Sequence, residues 1–346
     1  MSLTYYVWAT QTPFRYRGDI ITKDQFTSVK RYSGTTGASG FYLCCDGNKL
    51  YMLKKKEDMG DALAEDKDNI QHEYKVGLEL NKYYNFTPHL VYTHHLYYGL
   101  NNHSCSNHSC SNHRDSSSLN QRNHANPESQ SSSSSSSSLD CGRKSKCSSK
   151  NNHCYLLLEY LQGNTVDPEK LTVHERIRVL IQVSACLETL KDAGFTHYNL
   201  HKDNVMLVPL DSSYIIDYGY ATLQVADLVK LFDFGRSYTH KCGGFAVKKR
   251  NIRANTYWPL HDLLYLVYSM FHHHDKAVMG KLCIFYGYQP SDNGKYSSAS
   301  NKFLKSIPNR RQLSEIPNTY ELIQFCQREF DFVTVHDPSL PILTCQ

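Results

Sequence analysis

The chain has 346 residues, with 38 Lys+Arg against 33 Asp+Glu and a net charge of +5. That is too little basic charge for a dedicated nucleic-acid binder, which concentrates far more on one face. The longest apolar run, Leu260 to Phe271, is broken by His261 and Asp262 and is too short to span a bilayer, so neither nucleic acid nor a membrane is expected as a partner. Residues 1–17 show no basic stretch followed by an apolar one, so no signal peptide is expected. The twelve cysteines include no C-x-x-C pair. Free thiols in a reducing compartment, cytoplasmic or nuclear, are the expectation.

In chain order, strand patterns come first. Phe41-Tyr-Leu-Cys and Lys49 to Lys54 are apolar-rich runs joined by Asp46-Gly47-Asn48, which predicts a β-hairpin. Ile70 to Tyr83 reads as a helix with Glu73, Val76, Gly77 and Leu80 on one face. Residues 101–153 contain no Val, Ile, Phe, Trp, Tyr or Met, and 19 of these 53 residues are Ser. Such a stretch buries too little apolar surface to offset its ordering entropy, so a disordered insert is expected. Its repeat brings His103, Cys105, His108, Cys110 and His113 close in sequence. These are zinc-ligand types, but the spacing matches no known finger, and a slipped repeat in a loop is the better reading.

Beyond the insert, Tyr155 to Leu158 is a continuous apolar strand, and Thr172-Val-His-Glu175 is a capping box. The helix it opens places Ile177, Leu180, Ile181, Ser184, Leu187 and Leu190 on one face, with Gly194 as a stop. Pro259 to about Phe271 is an apolar helix.

Between these helices lies His197-Tyr198-Asn199-Leu200-His201-Lys202-Asp203-Asn204. This segment resembles the catalytic loop of the protein kinase superfamily, H-R-D-L-x-x-x-N. Other pieces resemble that superfamily in the same order. Thr35-Thr-Gly37-Ala-Ser-Gly40 is similar to the glycine-rich loop, where bare backbone approaches phosphates. Tyr51-Met52-Leu53-Lys54 is similar to V-A-I-K, with Glu73 as the helix partner of Lys54. Leu158-Glu159-Tyr160-Leu161 is similar to the hinge that offers its backbone to adenine, with Leu158 as gatekeeper and Met52 beside it. Asp262 resembles the buried helix Asp that braces the catalytic loop. The resemblance covers residues 30–275.

The resemblance implies an α+β, bilobal protein-kinase-like fold with a small β-rich N-lobe and a larger, mainly helical C-lobe. It implies an N-terminal extension over 1–30, an N-lobe over 31–161 holding the insert 101–153, and a C-lobe over 162–346. It also implies ATP and Mg2+ as cofactors and a protein substrate or protein partner. Two segments compete for the metal-binding D-F-G position. Asp233-Phe-Gly235 follows an apolar strand and is the full match, while Asp217-Tyr-Gly219 has the compact spacing after Asn204 and is the alternative. With Asp233 as ligand beside Asn204, residues Tyr214 to Leu228 become an inserted hairpin with Asp217 in its turn. Leu200-His201 resembles haspin-like kinases and kinases of large DNA viruses, which implies a host-cell protein if viral.

The departures bear on activity. Asn199 stands where the resemblance puts the catalytic Asp, and an amide cannot act as a base at neutral pH. Tyr198 replaces the Arg that grips a phosphorylated activation loop, and Trp258-Pro259 is the nearest remnant of A-P-E. The reading is an ATP-binding, Ser/Thr kinase-like protein of weak activity. A catalytically inactive pseudokinase scaffold and a small-molecule phosphotransferase of the aminoglycoside or choline type are the alternatives.

Overall fold

The computed structural model describes residues 28–31, 40–46, 49–58, 70–99, 152–244, 256–288, 303, 307 and 316–345. The glycine-loop positions Thr35 and Gly37, most of the Ser-rich insert and its His/Cys repeat lie outside the described residues.

The N-terminal part is a five-stranded antiparallel sheet in the order β1-β2-β3-β5-β4. Its strands are β1 (Ser28–Arg31), β2 (Gly40–Asp46), β3 (Lys49–Asp58), β4 (Thr93–Gly99) and β5 (Asn152–Glu159). The hairpin expected from Asp46-Gly47-Asn48 is present, with Asp46 opposite Lys49. One helix, α1 (Ile70–Leu80), packs against this sheet and continues into a 3-10 turn at Asn81–Tyr83. Its buried residues are Ile70, Glu73, Val76, Gly77 and Leu80, the face predicted by the 3/4 spacing. Gly77 is a packing glycine, because a Cβ there would collide with the Thr93 side chain on β4.

The C-terminal part is mainly helical: α2 (Val173–Thr189), α3 (Pro259–Phe271), α4 (Lys276–Phe285) and α5 (Thr319–Phe330). A second sheet holds β6 (Asn164–Thr165), β7 (Val205–Asp217), β8 (Thr222–Leu231) and β9 (Ile342–Thr344), with β9 parallel to β7. The fold is thus α+β and bilobal, with a small β-rich N-terminal part and a larger, mainly helical C-terminal part. Helix α2 begins with the predicted capping box: Thr172 Oγ1 accepts the Glu175 amide at 3.2 Å and Glu175 Oε2 accepts the Thr172 amide at 2.7 Å. The sequence shows one apolar face, yet the helix also buries Val179, Gln182, Val183, Ala185 and Cys186. The reason is that α3, α5 and β8 surround it. Its Gln182 is satisfied inside the core by the Val229 amide at 3.0 Å. Gly194 is required for its backbone, with φ of +60°, and a Cβ there would meet the His240 ring.

Backbone pairing joins the two parts. The Leu231 amide donates to His89 O at 2.7 Å and the Val91 amide donates to Leu231 O at 3.1 Å. The buried His89 ring links the same elements, with Nδ1 at 3.0 Å from Val229 O and Nε2 at 3.0 Å from the Tyr218 hydroxyl. No helix among the described residues is long and apolar enough to cross a membrane. Among the described cysteines, Cys44, Cys186, Cys242, Cys326 and Cys345 are free thiols.

Candidate active site

Strand β3 places Lys54 opposite Phe41 on β2 and Leu156 on β5, in the middle of the sheet. The alternation that buries Lys54 also puts Met52 on its face, opposite Leu158. The Lys54 ammonium lies 2.9 and 2.8 Å from the two Glu73 oxygens and 2.6 Å from Asp233 Oδ1. Burial alone would depress this lysine, but the carboxylates of Asp233 and Glu73 outweigh it and hold the ammonium above its ordinary range. Glu73 comes from α1, nineteen residues on in sequence, and both side chains are almost fully buried.

Asp233 follows β8 and adopts φ 66° and ψ 61°, a left-handed conformation that opens a 3-10 turn at Phe234–Arg236. Phe234 is buried against Phe195 and His197, at ring distances of 6.0 and 5.7 Å. His197 Nε2 lies 2.9 Å from Phe232 O, so the two loops are tied directly. Asp217 sits elsewhere. It ends β7, and its Oδ1 accepts the Gly219 amide at 2.8 Å in the turn between β7 and β8. The segment Tyr214 to Leu228 is therefore the predicted hairpin, and Asp217 is a turn residue of the kind that caps its own backbone.

The loop from His197 to Asn204 is braced by Asp262, near the start of α3. Its carboxylate accepts the His197 amide and, at 2.9 Å, the Tyr198 amide. Asn204 is buried and donates from Nδ2 to Asn199 O at 2.8 Å. Asn199 Oδ1 accepts from Arg236 Nη1 at 3.2 Å. His201 lies in the same loop, where burial lowers its pKa although Asp203 opposes that shift.

The hinge-like segment follows β5. Leu158 is buried, and Met52, Leu161 and Phe232 pack in the same apolar cluster. Gly40, the last glycine-loop position, begins β2 opposite Lys55. Phe41 beside it lies 5.9 Å from the Lys54 ammonium. Glu159 turns its side chain inward. Its carboxylate accepts from Lys230 Nζ at 3.3 Å, from the Tyr92 amide at 2.9 Å and from the Tyr84 hydroxyl at 3.2 Å.

Sequence reasoning missed Arg236, Lys230 and Phe232. A signal existed for two of them: Arg236 directly follows Asp233-Phe-Gly235, and Lys230 is a lone charge inside the apolar run Leu228 to Phe232. A cavity of about 530 Å³ lies apart from these residues, between α2, α3 and α5, and contains none of the predicted site residues.

The donor set of Asp233 and Asn204 is hard oxygen with one carboxylate, which suits magnesium held partly by phosphate oxygens. Among the described residues no group of three or more His, Cys, Asp or Glu could hold a metal by itself. Lys54 is a point charge suited to a phosphate.

No known family profile matches the chain, and no curated protein matches it. Solved structures do match. One is WaaP in complex with acyl carrier protein, at 11% identity, covering 87% of each chain with a TM-score of 0.35.

Proposed function

We propose that this chain binds Mg-ATP in the cleft between its two parts and is a kinase-like phosphotransferase of low intrinsic activity. The observation that carries this reading is the buried Lys54 held between Glu73 and Asp233. A buried ammonium facing two carboxylates from distant elements is costly to assemble for stability alone. It has a clear use as an anchor for α- and β-phosphates.

In this reading Met52, Leu158 and Leu161 form the apolar wall for adenine, and the backbone of Glu159 and Leu161 supplies its hydrogen bonds. Thr35, Gly37 and Gly40 would cover the phosphates. Asp233 and Asn204 would hold Mg2+, which when bound neutralises phosphate charge. Glu73 orients Lys54, and Asp262 orients the catalytic loop. Asn199 occupies the position facing the acceptor hydroxyl. It positions through its amide and leaves the proton without a carboxylate acceptor. The protein substrate or partner, the Ser/Thr preference and a host-cell cytoplasmic or nuclear location belong to the same proposal.

A small-molecule phosphotransferase or a scaffold is the alternative reading: Trp258-Pro259, the nearest remnant of A-P-E, directly opens α3.

The test is the ATP-dependent rise in melting temperature with and without magnesium. Asp233→Asn should remove the magnesium dependence, and Asp217→Asn should keep it. The reading fails if ATP gives no shift in the wild type, and the metal assignment fails if the two variants exchange behaviour. A phosphate-release screen of peptides against amino-alcohols then separates the acceptor classes.

A further inference from the structure

Glu159 ends β5, where the chain leaves the N-terminal sheet, and its side chain turns inward. The carboxylate accepts from the Tyr92 amide at 2.9 Å and from the Tyr84 hydroxyl at 3.2 Å, and both its oxygens lie 3.3 Å from Lys230 Nζ. Its backbone grips the same neighbour, since the Glu159 amide donates to Tyr92 O at 2.9 Å. Lys230 comes from β8, donates also to Leu90 O at 3.0 Å, and lies 5.0 Å from the centre of the Tyr84 ring. The Lys230 and Glu159 side chains are only 4% and 7% exposed.

A Glu turned to the surface here would keep its hydration. Burying the pair takes both charges out of water, and such a pair adds little or nothing to stability compared with apolar residues of similar volume. What it supplies is position. Residues 89–92 are caught between the end of β5 and the end of β8. The Leu231 amide donates to His89 O, the Val91 amide donates to Leu231 O, and Lys230 and Glu159 hold Leu90 and Tyr92. Beyond Lys230 the chain enters the candidate site. Two residues on, Phe232 packs in the cluster with Met52, Leu158 and Leu161, and three residues on, Asp233 meets Lys54 at 2.6 Å.

We propose that Glu159 and Lys230 are positioning residues whose buried ion pair sets the spacing between the end of β5, which would meet a nucleobase, and the end of β8, which leads to Asp233. Their side chains act through the backbone of the two strand ends. The pair thereby decides whether a base and a triphosphate are held at once. The tie between the strand ends stands on geometry alone. Its consequence for the base rests on the Mg-ATP reading.

The test compares dissociation constants for Mg-ATP and for Mg-tripolyphosphate, which has the phosphates and no base. They are measured for the wild type and for Glu159→Gln/Lys230→Met. The double variant removes both charges together, so neither is left buried without the other, and Gln keeps an acceptor for the Tyr92 amide. The wild type should prefer ATP. The double variant should lose about tenfold of that preference, the worth of roughly one hydrogen bond, with tripolyphosphate affinity unchanged. Hydrogen exchange of the Val91 and Leu231 amides should rise by about tenfold, while the amides of α3 stay protected. Should the double variant fail to fold, Glu159→Gln alone, which removes one charge and keeps the shape, should lose about threefold of the preference. The proposal is overturned if the preference is unchanged, if ATP and tripolyphosphate weaken alike, or if both amides stay protected. A wild type that binds ATP no better than tripolyphosphate would sink the nucleotide reading, while the exchange of Val91 and Leu231 still decides the tie.

Discussion

Two regions of the candidate site are built from different chemistry. On the Lys54 side the contacts are ionic: one buried ammonium lies within 2.9 Å of carboxylate oxygens from Glu73 and Asp233. On the Tyr198 side the contacts are neutral: Thr196, Tyr198, Thr256 and the Trp258 amide bond one another without a formal charge. Asn199 lies in the same loop as Tyr198, and its oxygen accepts from the Arg236 guanidinium. The contrast teaches that one site can combine a buried ionic cluster with a neighbouring network of neutral hydrogen bonds. Under the proposed function, the charged side would supply the groups that a triphosphate and a metal need.

Putting a charge back on the neutral side should give the largest effect. Asn199→Asp restores a proton acceptor, and a positioned base contributes on the order of 10²–10⁴-fold. Arg236 would pair with the new carboxylate and hold it ionised, so we expect the lower end, about 10²-fold, in parallel assays of autophosphorylation and peptide phosphorylation. If both proteins bind Mg-ATP and both stay silent, the neutral side lacks more than a base, and the scaffold reading takes first place.

Removing the charge from the ionic side comes next. Lys54→Ala removes the ammonium that faces the buried Glu73 carboxylate, which should lower stability by about 3 kcal/mol, read as a shift in the urea midpoint. The Lys54→Met/Glu73→Leu pair should recover much of that loss while remaining unable to bind nucleotide. A double variant no more stable than the single one would mean that the charges are not what Glu73 lacks.

A third way to sharpen the contrast is to charge a buried neutral group. Burial lowers the His89 pKa to about 3, from an ordinary 6.5, although its bond to Val229 O works the other way. The folded pKa lies below the unfolded one, so the unfolded chain binds more protons between those values. Stability is therefore full above about pH 6.5 and falls on acidification, by about 1.4 kcal/mol per pH unit from this group alone. Urea midpoints taken from pH 7 to pH 4 should show the slope, and His89→Gln should flatten it. An unchanged slope in the variant would place the acid sensitivity elsewhere.

The smallest effect is expected at the other Asp-x-Gly. Asp217→Asn keeps an acceptor for the Gly219 amide in the hairpin turn, so its urea midpoint should move by less than about 0.5 kcal/mol. A larger loss would show that the carboxylate has a role beyond the turn.

Much of this architecture is legible from the chain alone. The capping box at Thr172, the hairpin across Gly47-Asn48 and the buried face of α1 are local, and local preferences express themselves wherever the chain can satisfy them. The pairing of Lys54 with Glu73 was accessible through the resemblance. The burial of α2 beyond its one apolar face was not, because one apolar stripe is enough to start a helix and its other neighbours arrive from residues 223–330.

By itself, then, the sequence determined the order of elements and the identity of the charged side, since each piece is a short pattern with its own spacing. Only the tertiary structure decided which Asp-x-Gly meets Lys54. Both segments carry the same local chemistry, and the choice depends on how β7 and β8 pair and where β8 ends. Only the tertiary structure, likewise, decided that Glu159 turns inward to Lys230 and that Tyr198 reaches Thr256, 58 residues away. Hydrogen bonds across such separations leave no periodic trace in the chain. They exist because packing brings the two groups within 3.5 Å of each other, and burial then makes an unsatisfied partner costly.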